Sequence, residues 1–565
     1  MSTDIKPTDI KYAFLEQPQV AEPVQIVKDR HREQAPILVD YLIPVLKGKD
    51  KKLYLFLVAV WFVSLIIFFE YWLRPGHVIT PFRTVLNTLL LVYSFLLPAY
   101  FFFFVAKMKK VNPEIDIPRE WEVAMIVTRS PSEPFYVVKK TLEGMLSQAT
   151  AHDTWLADED PSPEIIQWCR QNGVKISCRK NVEAYHRATW PRRTRCKEGN
   201  LAYFYDKFGY DLYDFVVQLD ADHVPGKDYL KNILKPFVAE EVGYVSAPSI
   251  TNSNEKMSWS ARGRLYAESI MHGPLQAGYS LDYAPLCIGS HYAVRTRALK
   301  EIGGLGPELA EDHSTTLMFN AYGWKGVHAL DAIASGEGPP SLRACILQEF
   351  QWSRSLAIIL TSLLPKYWKL LTLKARLQFL FSELWYPIFG FTMLIGYLFP
   401  IIAVIQGKAW VSVSYFEFMT YSVPLVISIF GIIHFLKAKG LLRPHTAPLF
   451  SMEATVFQII RWPWALYGTI SGIIAGLGGK TPPFKVTKKG NFAEEDIGWP
   501  IYILYASLIA FPALVLFFDH GEKPGGADGY YFFIIINQLM YLAVLFYMVL
   551  QQKREYKMAT LNPSC

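Results

Sequence analysis

The chain has 565 residues, of which 51% are hydrophobic and 15% aromatic, and its formal net charge is +7. A soluble protein of this length usually forms several domains, but here the apolar residues concentrate in a few long runs. The modest positive charge calls for no nucleic-acid partner, because Lys and Arg gather beside those runs, as they do on the cytosolic flanks of membrane helices. The six cysteines include no CxxC pair, so neither a disulfide framework nor a zinc site is indicated.

The N-terminal part of the chain predicts a polar arm followed by a membrane hairpin. Residues 1–50 begin without the apolar core of a signal peptide and are interpreted as a cytosolic arm. Two apolar runs follow at 53–73 and 85–106, and a span needs about 20 such residues. Residues 51–110 are therefore predicted to form a transmembrane hairpin. Lysines flank both of its outer ends, which places these ends in the cytosol.

The C-terminal part, residues 353–565, predicts four more spans. They correspond to the apolar runs at 377–405, 415–435, 499–518 and 530–550. Residues 450–477 are also apolar but contain two ionisable residues and a proline, which favours an interfacial amphipathic helix. Six spans with both termini inside predict an integral membrane protein, placed in a bacterial inner membrane, with a cytosolic middle region. Glu383, within the third span, is the best candidate for a channel-facing side chain, because an ionisable group is expensive in lipid.

Residues 111–352 predict a cytosolic α/β domain. Short apolar runs alternate with helical patterns there, which is typical of a mostly parallel sheet with flanking helices. Three strands are predicted at 123–127, 154–157 and 214–219. Asp158 directly follows the second strand, and Asp220 and Asp222 follow the third. Ligands bind at this edge of open α/β sheets, so the acidic residues mark a candidate site.

The pattern Asp220-Ala221-Asp222 predicts a metal site. Two carboxylates one residue apart can face a single Mg²⁺ or Mn²⁺, which in turn holds a diphosphate. His223 is either a third ligand or a turn residue. Further along, Glu311 and Asp312 open a predicted helix after a Gly-rich turn. Taken alone, this pair is better explained as an acidic helix N-terminus stabilised by the helix dipole.

The order and spacing of these acidic residues, with Gln348 and Trp352 after them, resemble a known series. This is the D, DxD, ED, QxxRW series of the processive family 2 glycosyltransferases, which include cellulose, chitin and hyaluronan synthases. Residues 197–200 (KEGN) resemble the KxGN element of this family. Residues 484–489 (FKVTKK) and 287–290 (CIGS) resemble the FxVTxK gating loop and the FCGS acceptor loop of cellulose synthases. The resemblance implies a GT-A-like cytosolic domain inserted between transmembrane helices that form a channel.

The resemblance implies a role for each matching residue. Asp312, next to Glu311, would be the general base, and Mg²⁺ or Mn²⁺ would be held by Asp220, Asp222 and His223. The implied donor-binding residues are Thr128, Asp158, Lys197 and Asp220, with basic neighbours at Arg192, Arg193 and Arg195 that are otherwise explained as a surface loop. The implied acceptor-binding residues are Gln348, Trp352, Cys287, Gly289 and Ser290. The implied gating-loop residues, near 481–495, are Phe484, Val486, Thr487 and Lys489.

Two positions depart from the family pattern. Ala310 stands where the family has Thr before Glu-Asp, and Gln351 stands where QxxRW has Arg. The family's Arg is thought to contact the diphosphate, and a neutral amide cannot reproduce a bidentate guanidinium. Arg354 is hypothesised to reach the same site from the next part of the helix.

The function that the resemblance implies is inverting, processive polymerisation of UDP-glucose into a β-glucan, cellulose-like or of mixed linkage. The growing polysaccharide would cross the bilayer, and a separate export or regulatory subunit would act beyond this chain. A chitin- or hyaluronan-type synthase is an alternative within the family. A non-processive transferase to a lipid carrier generally lacks the QxxRW-like and FxVTxK-like elements. A transporter or receptor predicts no acidic series at strand ends. A catalytically dead scaffold is argued mainly by Gln351, and retention of all the carboxylates argues against it.

Overall fold

The computed structural model describes residues 40–307, 310–479, 497–519 and 528–561. Its strands are β1 Leu42–Pro44, β2 Lys109–Val111, β3 Val123–Arg129, β4 Asp153–Asp158, β5 Lys175–Ser177, β6 Phe215–Leu219, β7 Val224–Pro225, β8 Val242–Ser246, β9 Ser249–Ile250, β10 His291–Arg295, β11 Lys325–His328 and β12 Ala334–Ser335. Its α-helices are α1 Gly48–Trp72, α2 Pro81–Ala106, α3 Phe135–Leu146, α4 Pro163–Gln171, α5 Lys197–Phe204, α6 Tyr210–Leu212, α7 Tyr229–Leu234, α8 Trp259–Ala267, α9 Gln276–Tyr279, α10 Thr296–Glu301, α11 Glu311–Ala321, α12 Leu342–Ile358, α13 Leu364–Tyr367, α14 Leu373–Ile405, α15 Tyr415–Ala438, α16 Met452–Leu477, α17 Trp499–Phe518 and α18 Asp528–Leu561.

Within the described residues, six helices are long and apolar enough to cross a membrane. They are α1, α2, α14, α15, α17 and, over Gly529–Met558, α18. Two of them precede the α/β domain and four follow it, as the apolar runs predict. The prediction of six apolar spans is therefore confirmed in number and position. The helix α16 is not among the six, and its assignment to the membrane interface stays a prediction.

The helix α16 packs closely along α12 because small residues recur on one face. Gly468, Gly472 and Gly476 lie four residues apart and turn towards α12 and the π-helical turn Ile359–Leu363. A Cβ atom at Gly472 would lie only 2.3 Å from the carbonyl oxygen of Arg354. Residues without a Cβ let two helix backbones approach. This contact joins the α/β domain to the helices that follow it.

The centre of the α/β domain is a seven-stranded sheet. The strand order is β11-β8-β10-β6-β3-β4-β5, and β10 is the one strand in it that runs antiparallel to both of its neighbours. The other neighbouring pairs are parallel. The strands β6, β8 and β10 are buried along their whole length, which is typical of a sheet covered on both faces. The predicted mostly parallel α/β fold is confirmed.

Two hydrophobic cores cover the two faces of this sheet. Successive strand residues point to opposite faces, so Ala124 and Ile126 of β3 enter one core while Met125 and Val127 enter the other. The first core contains residues of α5 and α11, and the second contains residues of α3, α4 and α7. The helix α11 is therefore fixed against the sheet on the face that also carries α5.

The topology brings distant parts of the chain to one edge of the sheet. The parallel strands β3, β4 and β6 end at this edge, and Asp158 is the last residue of β4. Because β10 is antiparallel to β6, its first residue His291 pairs with Leu219 at the end of β6. The segment 287–290, which precedes β10, therefore lies at the same edge of the sheet as Asp220, which follows β6.

Candidate active site

A cavity of about 1320 Å³ opens at this edge and continues between the membrane helices. Its domain end is lined by residues that the sequence singled out, namely Thr128, Lys197, Asp220, Asp222, His223, Cys287, Gly289, Ser290, Glu311, Asp312, Gln348 and Trp352. Its other end is lined by apolar and aromatic residues of α2, α14 and α15, among them Phe101, Phe102, Trp385, Phe389, Ile429 and Ile433. The acidic cluster and the membrane helices therefore share one continuous space.

The ligand atoms of Asp220, Asp222 and His223 all lie within 4.8 Å of one another. The loop after β12 supports this cluster, because Asp222 Oδ2 accepts a hydrogen bond of 3.0 Å from the backbone of Glu337. In the part of the chain that is described, the buried His223 Nε2 has no hydrogen-bond partner. Gly336 packs on the same ring, where a Cβ atom would lie 2.2 Å from Cε1. Two carboxylates and a free imidazole nitrogen fit a divalent cation.

Lys197, the first residue of α5, joins the acidic cluster to the segments around it. Its Nζ lies 2.6 Å from Asp220 Oδ1, 2.5 Å from the Gly289 carbonyl oxygen and 3.9 Å from Glu311 Oε1. Burial alone lowers the pKa of Lys197, but the carboxylates of Asp220 and Glu311 raise it above its usual value. The side chain is therefore a fixed positive charge beside the proposed metal site.

Glu311 and Asp312 open α11 and line the cavity, where Glu311 is buried and Asp312 is half-buried. Burial raises the pKa of Asp312, and it raises the pKa of Glu311 to about 8. The Gly289 backbone hydrogen-bonds to Asp312, and a Cβ atom at Gly289 would lie 3.2 Å from Asp312 Oδ2. Ala310 precedes them without a side-chain cap. A carboxylate made more basic by burial is suited to accept a proton.

Trp352 and Gln348 line the cavity from α12, and Arg264 of α8 binds both. The Arg264 guanidinium lies 3.6 Å from the centre of the Trp352 ring, and its Nη1 donates a hydrogen bond to Gln348 Oε1. Arg264 Nε also lies 3.3 Å from Glu268 Oε1. Arg264 was not among the site residues predicted from the sequence. The spacing Arg264-x3-Glu268-x3-His272, which repeats every four residues, was the signal for a polar helix face.

A second arginine, Arg461, lies near Trp352 and Arg264 on the same side of the cavity. Arg461 of α16 lies 3.6 Å from the buried carboxylate of Glu349, and Arg264 lies 3.7 Å from its other oxygen. Arg461 also lies 5.0 Å from the ring centre of Phe389. Buried charges are retained when they are paired, so Glu349 holds both guanidinium groups beside the cavity.

Arg354 lies elsewhere. Its guanidinium is 5.1 Å from the ring centre of Phe350, and Arg354 does not line the cavity. Gln351 is buried in α12 and does not line the cavity either. The structure therefore does not bring Arg354 to the acidic cluster. Arg264 and Arg461 both line the cavity and contact the QxxRW-like segment, and Arg264 is the one that contacts Gln348 and Trp352.

We expect Arg354→Ala to leave the apparent donor affinity unchanged and Arg264→Met to lower turnover by about tenfold or more. Losing a hydrogen bond to a charged group costs about 1.5–3 kcal/mol, and Arg264 makes such a bond to Gln348 as well as stacking on Trp352. The measurement is nucleoside diphosphate release as a function of donor concentration. A weaker donor affinity in Arg354→Ala, with Arg264→Met unaffected, would contradict this assignment.

At the other end of the site, the buried side chain of Asp158 is bound by Arg129. Arg129 Nη1 donates a hydrogen bond of 2.8 Å to Asp158 Oδ2, and Asp158 Oδ1 accepts one of 3.0 Å from the backbone of Asp160. Thr128 and Arg129 line the cavity, whereas Asp158 does not. A direct contact of Asp158 with a ligand stays a prediction. No role was predicted for Arg129, the last residue of a strand whose first five residues are apolar.

The remaining sequence predictions divide into three groups. Cys287 is buried, and the Ser290 carbonyl oxygen accepts a hydrogen bond of 2.7 Å from the Asp220 backbone, which ties the CIGS segment to the acidic cluster. Arg193 and Arg195 line the cavity, whereas Arg192 pairs with Asp206 at 2.8 Å. The predicted gating-loop residues Phe484, Val486, Thr487 and Lys489 lie outside the described residues.

Residues 215–433 match the family model described as glycosyl transferase family group 2. The match begins at β6, includes the acidic cluster, Glu311, Asp312 and Trp352, and ends within α15. This stretch of the chain is similar to the family 2 glycosyltransferases. The cavity described above is the candidate active site, since the matched region supplies the carboxylates of Asp220, Asp222, Glu311 and Asp312 and most of the cavity's membrane end.

Two relatives to which the chain is similar are bacterial proteins. The chain is 23% identical over 386 residues to the UDP-forming cellulose synthase catalytic subunit of Komagataeibacter sucrofermentans, which covers 67% of this chain and 48% of the relative. It is 23% identical over 402 residues to that of Pseudomonas fluorescens, with 70% and 51% covered. The chain thus spans about half the length of these relatives. Among solved structures, a mannosyltransferase from Pyrobaculum calidifontis covers 88% of this chain at 12% identity and a TM-score of 0.33.

Proposed function

We propose that the chain is an inverting, processive glycosyltransferase that polymerises UDP-glucose into a β-glucan and moves the product across a membrane. We also propose four regions with the boundaries predicted from the sequence. They are an arm at 1–50, a transmembrane hairpin at 51–110, a catalytic domain at 111–352, and interfacial and membrane helices at 353–565. The catalytic domain lies in the cytosol, and the membrane is a bacterial inner membrane. A separate export or regulatory subunit would receive the polymer.

The observation that carries this proposal is the single cavity that joins the carboxylates to the membrane helices. A transferase that adds one sugar to a soluble acceptor needs no such continuation. A polymer that grows at the carboxylates needs a path through the bilayer, and the cavity that continues between the aromatic residues of α2 and α14 supports one. The choice of UDP-glucose is supported by the FxVTxK-like and CIGS segments and by the names of the two bacterial relatives.

The donor would bind by its diphosphate at the acidic cluster. A divalent cation held by Asp220, Asp222 and His223 would supply Lewis-acid stabilisation of the leaving nucleotide. Lys197, held beside Asp220 and the Gly289 carbonyl, adds a second positive charge at the same place. Thr128 and Arg129 line the far side of the cavity, where the uridine would lie.

Asp312 would take the proton from the acceptor hydroxyl as that oxygen attacks the anomeric carbon. The Gly289 backbone holds its carboxylate, and burial raises its pKa, so the group is oriented and sufficiently basic. The acceptor sugar would stack on Trp352, whose ring is held by Arg264. Successive transfers would push the chain past Trp385 and Phe389 of α14 into the membrane part of the cavity.

The test is UDP release by the purified, detergent-solubilised chain with Mg²⁺ or Mn²⁺. UDP-glucose, UDP-N-acetylglucosamine, UDP-glucuronic acid and GDP-mannose are compared, and long products are digested with linkage-specific glucanases. We expect metal-dependent turnover of UDP-glucose and a glucanase-sensitive polymer. Turnover of a different donor would overturn the choice of glucose. A product carrying a single sugar would overturn processivity.

A further inference from the structure

The third residue of α11 reaches away from the carboxylates to a membrane helix. His313 Nε2 lies 2.7 Å from Glu383 Oε1, and both side chains are buried. Glu383 belongs to α14, one of the six helices able to cross a membrane. Burial alone lowers the pKa of His313, but the Glu383 carboxylate raises it above its usual value. The contact is therefore a close imidazole–carboxylate pair between the catalytic domain and the membrane helices.

The His313–Glu383 contact stabilises the buried Glu383 carboxylate. An ionised carboxylate in an apolar helix is unfavourable unless it meets a positive charge. In the described ranges, His313 is the one basic side chain within ion-pair distance of Glu383. The pair therefore fixes the start of α11 to one point on α14.

This attachment point adjoins the proposed base. The His313 backbone N–H lies 2.8 Å from Asp312 Oδ1, so any shift of His313 shifts the carboxylate with it. On α14, Ser382 and Trp385 flank Glu383 and line the cavity that leads into the membrane. The same helix thus holds the base and lines the path of the product.

We propose that His313 and Glu383 are positioning residues that set the Asp312 carboxylate relative to α14. The proposal rests on the function proposed above, because it concerns the same transfer. Neither side chain needs to touch the substrate, since both act through Asp312. It also explains why an ionisable residue stands in the first part of the apolar helix α14. Glu383 was predicted to face a channel, but its buried side chain pairs with His313.

The test compares Glu383→Gln, His313→Gln and the double variant with the wild-type chain. A displacement of about 1 Å at a reacting group lowers the rate by about 10²-fold. We expect kcat to fall by about tenfold or more in each single variant, with the KM for the donor unchanged. The double variant is expected to be no slower than the slower single variant, because residues in one ion pair are not additive.

Gln378→Leu is the matched control. Gln378 lies on the same helix and also binds the catalytic domain, through hydrogen bonds of 2.7 and 2.6 Å with the backbone of Ala284. The substitution removes contacts between α14 and the catalytic domain without changing α11. We therefore expect a lower thermal midpoint for unfolding but a wild-type kcat. Wild-type kcat in Glu383→Gln, an equal loss of kcat in Gln378→Leu, or additive single effects would overturn the proposal. Failure of the proposed function would show differently, as absence of transfer by the wild-type chain itself.

Discussion

Asp312→Asn is expected to stop sugar transfer while leaving nucleotide binding intact. An amide cannot accept the proton of the acceptor hydroxyl, and loss of a general base lowers rates by about 10²- to 10⁴-fold. The carboxamide has nearly the same shape, and Asp312 is not one of the three residues of the metal cluster. The measurement is UDP release together with UDP binding by calorimetry in the same preparation.

The matched control for this variant is Asp282→Asn. Asp282 is an exposed carboxylate that lies 3.6 Å from Lys109 and from Lys374 and does not line the cavity. It should keep both transfer and binding. Polymer made by Asp312→Asn at near the wild-type rate would remove Asp312 from the role of base, and Glu311 would be the next carboxylate to test.

Asp222→Asn is expected to lose both donor binding and turnover. Asp222 is buried, belongs to the acidic cluster and is held by the Glu337 backbone. Substituting even an outer-shell partner costs about 10–100-fold in metal affinity, so losing a ligand should cost at least as much. Mn²⁺ binding followed by electron paramagnetic resonance, and UDP affinity in its presence, measure the effect.

Asp228→Asn serves as the control for the metal site, because Asp228 is exposed and lies outside the cavity. It should bind Mn²⁺ as the wild-type chain does. Unchanged Mn²⁺ and UDP affinities in Asp222→Asn would contradict the assignment of Asp220, Asp222 and His223 as metal ligands.

The local features of the site could be predicted from the sequence. The apolar runs that form β3, β4 and β6 are short and continuous, so the acids that follow them had to lie at one edge of the sheet. The helix that starts at Glu311 follows from the Gly-rich turn before it. These predictions depend only on residues close together in the chain.

The contacts made across long sequence distances could not be predicted in the same way. Arg264 stacks on Trp352 from 88 positions away, and His313 pairs with Glu383 from 70 positions away. Such pairs depend on how helices are rotated and packed, which periodicity does not fix. Helix rotation also explains why the prediction that Arg354 reaches the acidic cluster was wrong. Arg354 is near Trp352 in sequence, but its side chain lies on the other side of α12.

The most direct test of the central claim uses inverted membrane vesicles that contain the chain and receive labelled UDP-glucose with Mg²⁺ or Mn²⁺ outside. The cavity runs from the carboxylates into the membrane helices, so the polymer should accumulate where added glucanase cannot reach it until detergent is added. A labelled polymer that resists glucanase before detergent and is digested afterwards is the predicted result. A product digested fully without detergent, or a single sugar attached to lipid, would contradict synthesis coupled to translocation.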